Sequence, residues 1–168
     1  LVELPEGHFA GIDTSVPNRV VKEALSGGQI LELTEYKSVQ PEVRYSKNSR
    51  IDFLLSQNGK PDAYLEVKNV HLMREESLAE FPDCVTARGA KHLGDLSSMV
   101  GEGHRGIMLY LVQRTDCTQF SLARDLDPAY GRAFDEARRA GVEILCYGTR
   151  IDRQGVQIGE KIQVVDGA

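Results

Sequence analysis

Residues 64–70 read YLEVKNV. In a strand, alternating side chains set Glu66 and Lys68 together on one face and Leu65 and Val67 on the other. Upstream, SRIDFLL offers a second carboxylate, Asp52, between Ile51 and Phe53, which are expected to point the opposite way. Two carboxylates held close repel, and both stay ionised at neutral pH only if something cationic neutralises them. Mg²⁺, or Mn²⁺ in its place, suits such a pair, because it prefers oxygen ligands and keeps several waters. The backbone carbonyl of Val67, between the two charged side chains, is a further candidate ligand. Lys68 would orient an attacking water or offset charge developing on a phosphodiester. Asp52, Glu66 and Lys68 are thus candidate catalytic residues, with Asp52, Glu66 and Val67 as candidate metal ligands. The plain alternative is a surface salt bridge between Glu66 and Lys68.

The elements around these residues must bring Asp52 across to Glu66. EVRYSKNSRIDFLL and AYLEVKNV read as two hairpins running into each other, with turn chemistry at SKNS and QNGKPD. Folding about Gly59 or Lys60 sets Asp52 opposite Glu66 or its neighbour. SVPNRVVKEALSGG predicts a helix with Pro17 in its first turn, Val20, Val21, Ala24 and Leu25 on one side, and a stop at Gly27-Gly28. Glu23 lies off the apolar side, one turn from Arg19, as either a surface pair or a helical acid of the site. TARGAKHLGDLSSMVGEG predicts a helix with Leu93, Leu96 and Val100 inward and Arg88, Lys91 and Asp95 on a polar side. LDPAYGRAFDEARRAG predicts a third, with Asp127 as N-cap, Pro128 at its first position and Gly141 just past its end. IMLYLV and VEILCY read as buried strands, and RQGVQIGEKIQVV as a terminal hairpin. This order predicts an α/β fold with a mixed central sheet flanked by helices on both faces.

The 168 residues suit a single domain, and 41% hydrophobic with 27% charged residues is ordinary globular usage. No stretch approaches a membrane span. Cys84, Cys117 and Cys146 have neither zinc-knuckle nor disulfide spacing, which suggests reduced thiols and a cytoplasmic setting. The first residue is Leu1, and the opening LVELPEGHFAGIDTS reads as though in mid-strand, so residues 1–15 are expected to be the remnant of an interdomain region. The net charge of −5 argues mildly against a generic nucleic-acid surface. Locally, Lys37, Arg44, Lys47 and Arg50 form a basic stretch, either a solvated face or a phosphate contact. His8, His71, His92 and His104 show no ligand spacing, and His92, beside Lys91, is expected either to face solvent or pack, or to touch a phosphate. No serine sits in a nucleophile elbow, and no glycine-rich turn follows a strand into a helix, so acyl hydrolysis and nucleotide cofactors are not indicated.

A helix carrying Glu23, a strand carrying Asp52 and a strand carrying Glu-x-Lys, in that order, resemble the PD-(D/E)XK nuclease superfamily. SRID stands where the first acidic element belongs and LEVKN where the second belongs. PNRVVKEAL, SRIDFLL, YLEVKNV, FPDCVTARGAKHL, GHRGIMLYLVQR and GVEILCY are together similar to the sugar fermentation stimulation protein A family over nearly the whole chain. The resemblance implies a PD-(D/E)XK-like domain, restriction-endonuclease-like in fold, behind a smaller amino-terminal OB-fold-like domain. It also implies DNA binding and regulation of sugar (maltose) metabolism in a bacterium or archaeon. On the family pattern Asp52, Glu66 and Lys68 take the nuclease-motif positions, and Glu23 is the helical acid that joins the metal ligands. Two departures matter. The OB-like part is not in this chain, and such barrels commonly supply the nucleic-acid groove. Ala87 stands in the VT-x-RG segment where the family often has an acid, which leaves Arg88 and Lys91 in more positive surroundings. Lys47, Arg50, Arg88 and Lys91, with Lys37, are the expected contacts to DNA, without base preference; homo-oligomerisation is compatible with all of this. Two classes stay open: a Mg²⁺-dependent nuclease, and a DNA-binding regulator that keeps the nuclease scaffold without catalysis.

Overall fold

Strand β1 (Val2–Glu3) pairs with β2 (Phe9–Ala10), and α1 (Val16–Ser26) follows; β3 (Ser38–Ser46), β4 (Ser49–Ser56) and β5 (Ala63–Val70) then form an antiparallel meander. A short hairpin, β6 (Leu72–Glu75) and β7 (Leu78–Phe81), leads into α2 (Ala87–Gly101). The chain continues through β8 (Arg105–Val112), β9 (Gln119–Leu122), α3 (Pro128–Ala140), β10 (Glu143–Asp152), β11 (Gly155–Lys161) and β12 (Gln163–Val164). This computed structural model describes residues 1–46, 49–152 and 154–165.

The helix ends follow local chemistry. Asp127 accepts the Tyr130 amide at 2.9 Å, Pro128 needs no amide partner at the first position, and Gly141 takes a left-handed φ of 102° beyond the last turn. Thr86 caps α2 by accepting the Gly89 amide at 3.1 Å. α1 ends where Gly28 turns left-handed, φ 65°.

The main sheet has the order β11-β10-β8-β5-β4-β3, with β5, β8 and β10 parallel and the outer strands antiparallel. The crossovers β5–α2–β8 and β8–α3–β10 step the same way across it, so the right-handed rule sends both helices to one face. α1 covers the other face. Strand β8 divides accordingly: Ile107, Leu109 and Leu111 pack with Val20, Val21 and Ala24 of α1. Met108, Tyr110 and Val112 pack with Leu93 and Leu96 of α2 and with Tyr130 and Phe134 of α3. A strand buried on both faces reads as a continuous apolar run, hence IMLYLV. The mixed sheet with helices on both faces is the expected architecture.

Three features depart from the sequence expectation. A second sheet, β12-β9-β7-β6, lies on the α2–α3 side, where Ala79 and Phe120 enter the same core. Its strands are two to four residues long, too short for a period to register. The terminal hairpin is also different. Gly155–Lys161 folds back on β10, with Ile151 opposite Val156, while Gln163–Val164 leaves to pair parallel with β9. The Asp152 carboxylate closes that turn by accepting the amides of Gln154 at 2.7 Å and Gly155 at 3.0 Å. Finally, Ile51 does not share a core with Phe53. Phe53 packs on the α1 side and Ile51 on the α2 side. Between the pairs Pro41–Phe53 and Val43–Ile51 stands Glu42, with a left-handed φ of 56°.

Residues 1–15, expected as an interdomain remnant, dock on the domain: Gly11 donates its amide to the Gln113 carbonyl at 2.9 Å, and Phe9 donates to Thr115 Oγ1 at 2.9 Å. The three cysteines are unpaired. No helix among the described residues is long and apolar enough to cross a membrane.

Candidate functional site

The ladder between β4 and β5 pairs Leu55 with Ala63, Leu54 with Tyr64 and Phe53 with Leu65. The next step would set Asp52 against Glu66, but there the backbone pairing stops and the Asp52 side chain takes over. Its Oδ2 accepts the Val67 amide at 2.8 Å, and its Oδ1 accepts the Asn18 side-chain amide at 2.8 Å. Val67 therefore enters the site through its N–H. Asn18 lies on α1, so one carboxylate ties the first helix to the point where two strands part.

Glu66 is 4% exposed. Its Oε1 accepts from Lys68 Nζ at 2.7 Å and from His92 Nδ1, which reaches down from α2. Arg88, one turn earlier on α2, approaches His92 Nε2 through its Nε–H at 3.5 Å. With Nε2 accepting, the ring proton sits on Nδ1 and points at Glu66. Lys68 Nζ lies 3.2 Å from the same Nδ1, which is then a close approach and not a second bond. The other oxygen, Glu66 Oε2, is buried with no hydrogen-bond partner among the described residues.

The two carboxyls are pushed apart electrostatically. Burial, then the charge of Glu66, raises the Asp52 carboxyl above its ordinary value, against the pull of its hydrogen bonds. Burial also acts to raise Glu66, but the His92 hydrogen bond and the Lys68 ammonium outweigh it and hold that carboxyl below its ordinary value. Unequal environments for two neighbouring acids are how one site keeps two protonation behaviours. Among the described residues, no three His, Cys, Asp or Glu side chains stand close enough to form a metal cage. The donor set instead suits a hard cation that retains most of its waters: one free carboxylate oxygen, with a second carboxylate beside it.

A family model for the sugar fermentation stimulation protein RE domain matches residues 15–155. The chain belongs to this family. It is 63% identical over 164 residues to a sugar fermentation stimulation protein homolog of Dinoroseobacter shibae, covering 98% of this chain and 67% of the relative. It is also 63% identical over 159 residues to the homolog of a Jannaschia species, covering 94% and 66%. The chain thus spans about two thirds of the length of these relatives. A solved structure of Pyrococcus furiosus SfsA in complex with Ca²⁺ superposes with a TM-score of 0.85 at 25% identity, over 95% of this chain and 68% of that one. The restriction-endonuclease-like fold expected for the sugar fermentation stimulation family is the fold of this chain.

Within this family member, Asp52, Val67, Glu66 and Lys68 come together, and Glu23 stands apart. It pairs with Arg19 at 3.4 Å, both side chains more than half exposed, and borders a surface hollow with Arg150 and Asp152. Asn18 and Glu23 are five residues apart, roughly 140° around the helix, so α1 cannot turn both toward Asp52. His92 is the residue that sequence reasoning missed. Its signal was available: 92, 96 and 99 follow the i, i+4, i+7 spacing of the inward face, with Leu96 and Met99. Asn18 carried no such signal.

The expected DNA contacts are dispersed. Arg50 is exposed and lies directly opposite exposed Arg44 on β3. Arg88 is exposed at the start of α2 and leans on His92. Lys91 is held by Asp95 at 2.7 Å and by Ser49. Lys37 is exposed just before β3, and Lys47 lies outside the described residues.

Proposed function

We propose that this chain binds DNA without base preference and carries a divalent-metal-dependent phosphodiesterase site built from Asp52, Glu66 and Lys68. The buried Glu66 Oε2, with no partner among the described residues and a second carboxylate nearby, carries the reading. A desolvated anionic oxygen without a donor is costly, and a cation is the group that best offsets it. The Ca²⁺ bound by the Pyrococcus relative supports a divalent ion here. Mg²⁺, or Mn²⁺, would be held by Glu66 and Asp52, where it would supply charge to a phosphate oxygen and acidify water. His92 fixes the Glu66 carboxylate so that one oxygen stays free. Lys68, anchored on the same carboxylate, keeps an ammonium at the edge of the site, where a phosphodiester would meet it. Action in the cytoplasm and a part in regulating sugar (maltose) metabolism are proposed from the family resemblance.

One observation favours the second reading, a DNA-binding regulator that retains the scaffold without turnover. Both Asp52 oxygens already accept hydrogen bonds and Lys68 is already neutralised, so much of the site is satisfied as it stands. The test is incubation of the chain with single-stranded, duplex and branched DNA in Mg²⁺, Mn²⁺ or EDTA. Metal-dependent product supports the enzyme; binding without product on every substrate supports the regulator.

A further inference from the structure

The β4–β5 ladder ends at the pair Phe53–Leu65, so at Asp52 side-chain bonds stand where backbone pairing with β5 would be. One of them comes from the sheet: the Val67 amide donates to Asp52 Oδ2 at 2.8 Å. A single bond anchors one oxygen and leaves the plane of the carboxylate free to turn about it. The Asn18 side-chain amide, donating to Oδ1 at 2.8 Å from α1, removes that freedom. A carboxylate offers about four lone-pair sites, so an oxygen that accepts one bond keeps a second site for a cation.

Helix α1 has no need of this amide for itself. With Ser15 as N-cap, Asn18 is the third helical residue, where a glutamate or glutamine closes a capping box by reaching back to the N-cap amide. Here that amide already donates to Asp13 Oδ1 at 2.8 Å. An acid would suit the positive end of the helix better than asparagine, and alanine would suit its backbone better. Asn18 instead directs its donor at Asp52, and α1 is held in that rotation by Val20, Val21 and Ala24, which are buried in the core. An acid at position 18 could not donate, and would add a third negative charge beside Asp52 and Glu66. The helix expected to bring the charge of Glu23 brings a neutral donor. We propose that Asn18 is a positioning residue of the site, its side-chain amide fixing the plane of the Asp52 carboxylate so that Asp52 and Glu66 take a divalent ion together. This rests on the metal-site reading above and adds the group that orients one of its ligands.

The test is Mn²⁺ calorimetry on the whole chain carrying Asn18→Ala or Asn18→Gln, beside thermal melts in EDTA. Alanine favours the helix, so the first variant should fold. Removing a group that orients a metal ligand typically costs on the order of 10–100-fold in affinity, so Asn18→Ala should bind Mn²⁺ about tenfold or more weakly than wild type. Asn18→Gln, which keeps the donor on a longer arm, should fall between the two. A bond that serves only the fold would lower the midpoint in EDTA and leave the Mn²⁺ affinity of the folded chain unchanged. That result overturns the role of Asn18 and leaves the metal-site reading standing. A glutamine variant no tighter than the alanine one also overturns it, because the amide would not be the group responsible. A wild-type chain that takes up no Mn²⁺, or an Asp52→Asn chain that takes it up as tightly as wild type, removes the metal-site reading and this inference together.

Discussion

Replacing His92 with leucine removes the donor that holds Glu66 Oε1, while most of the volume between α2 and β5 stays filled. Both residues are buried, His92 at 6% and Glu66 at 4% exposure. The lost bond is charge-assisted and worth about 1.5–3 kcal/mol. Lys68 remains on the carboxylate at 2.7 Å, which keeps the cost below the roughly 3–5 kcal/mol of stripping a buried charge of its partner. A loss of about 2 kcal/mol at neutral pH follows, or about 4–8 °C in melting temperature for a chain of this length. The sign with pH is set by Glu66, whose carboxyl is held below its ordinary value of 4.5 by His92 and Lys68 against burial. A lowered carboxyl contributes stability above its unfolded value and loses it as pH falls through the folded one. The gap between wild type and His92→Leu should therefore be widest near neutrality and narrow below about pH 4.5. His92→Asn, which can place an amide N–H near the Nδ1 position, should recover part of the loss. Melts followed by circular dichroism in EDTA, from about pH 7 to about pH 3, measure both effects. A leucine variant as stable as wild type at neutral pH, or a gap that ignores pH, would refute the role assigned to His92.

Lys68→Ala should abolish any metal-dependent cleavage while the chain still folds and binds DNA, because the side chain sits at the edge of the site and not in either apolar core; cleavage at the wild-type rate would remove Lys68 from the chemistry. Asp127→Ala should cost about 2 kcal/mol in urea or thermal melts, since its carboxylate accepts both the Tyr130 amide that opens α3 and the Thr86 amide, at 2.9 and 2.8 Å; an unchanged midpoint would contradict that. Arg44→Gln with Arg50→Gln relieves two like charges directly opposite on a ladder, so folding should not suffer. DNA affinity should fall across sequences, with the salt slope flattened by roughly 1 to 2 units. Neutralising Lys91, already held by Asp95, should do less, and equal slopes for the two variants would argue against the β3–β4 ribbon as the DNA-facing edge.

Strand alternation within YLEVKNV was enough to put Glu66 and Lys68 on one face, and the turn residues at QNGKPD were enough to bring Asp52 beside them. The caps of α3 were equally legible, because Asp127, Pro128 and Gly141 act on amides and dihedrals only a few residues away. These rules are local, and local rules can be read from neighbouring letters. What the tertiary structure decided lies beyond that range. Which helix 1 residue meets Asp52 depended on how α1 is rotated on the sheet, and that rotation chose Asn18 over Glu23. The partner of Glu66 is 26 residues away on a helix whose height over β5 is set by packing, so a histidine with no ligand spacing became its hydrogen-bond donor. Ile51 packs in the other core, although strand alternation alone puts it with Phe53. The second sheet is the limiting case: strands of two to four residues carry almost no periodic signal, and they are held by pairings of β7 with β9 and of β9 with β12 between segments distant in the chain.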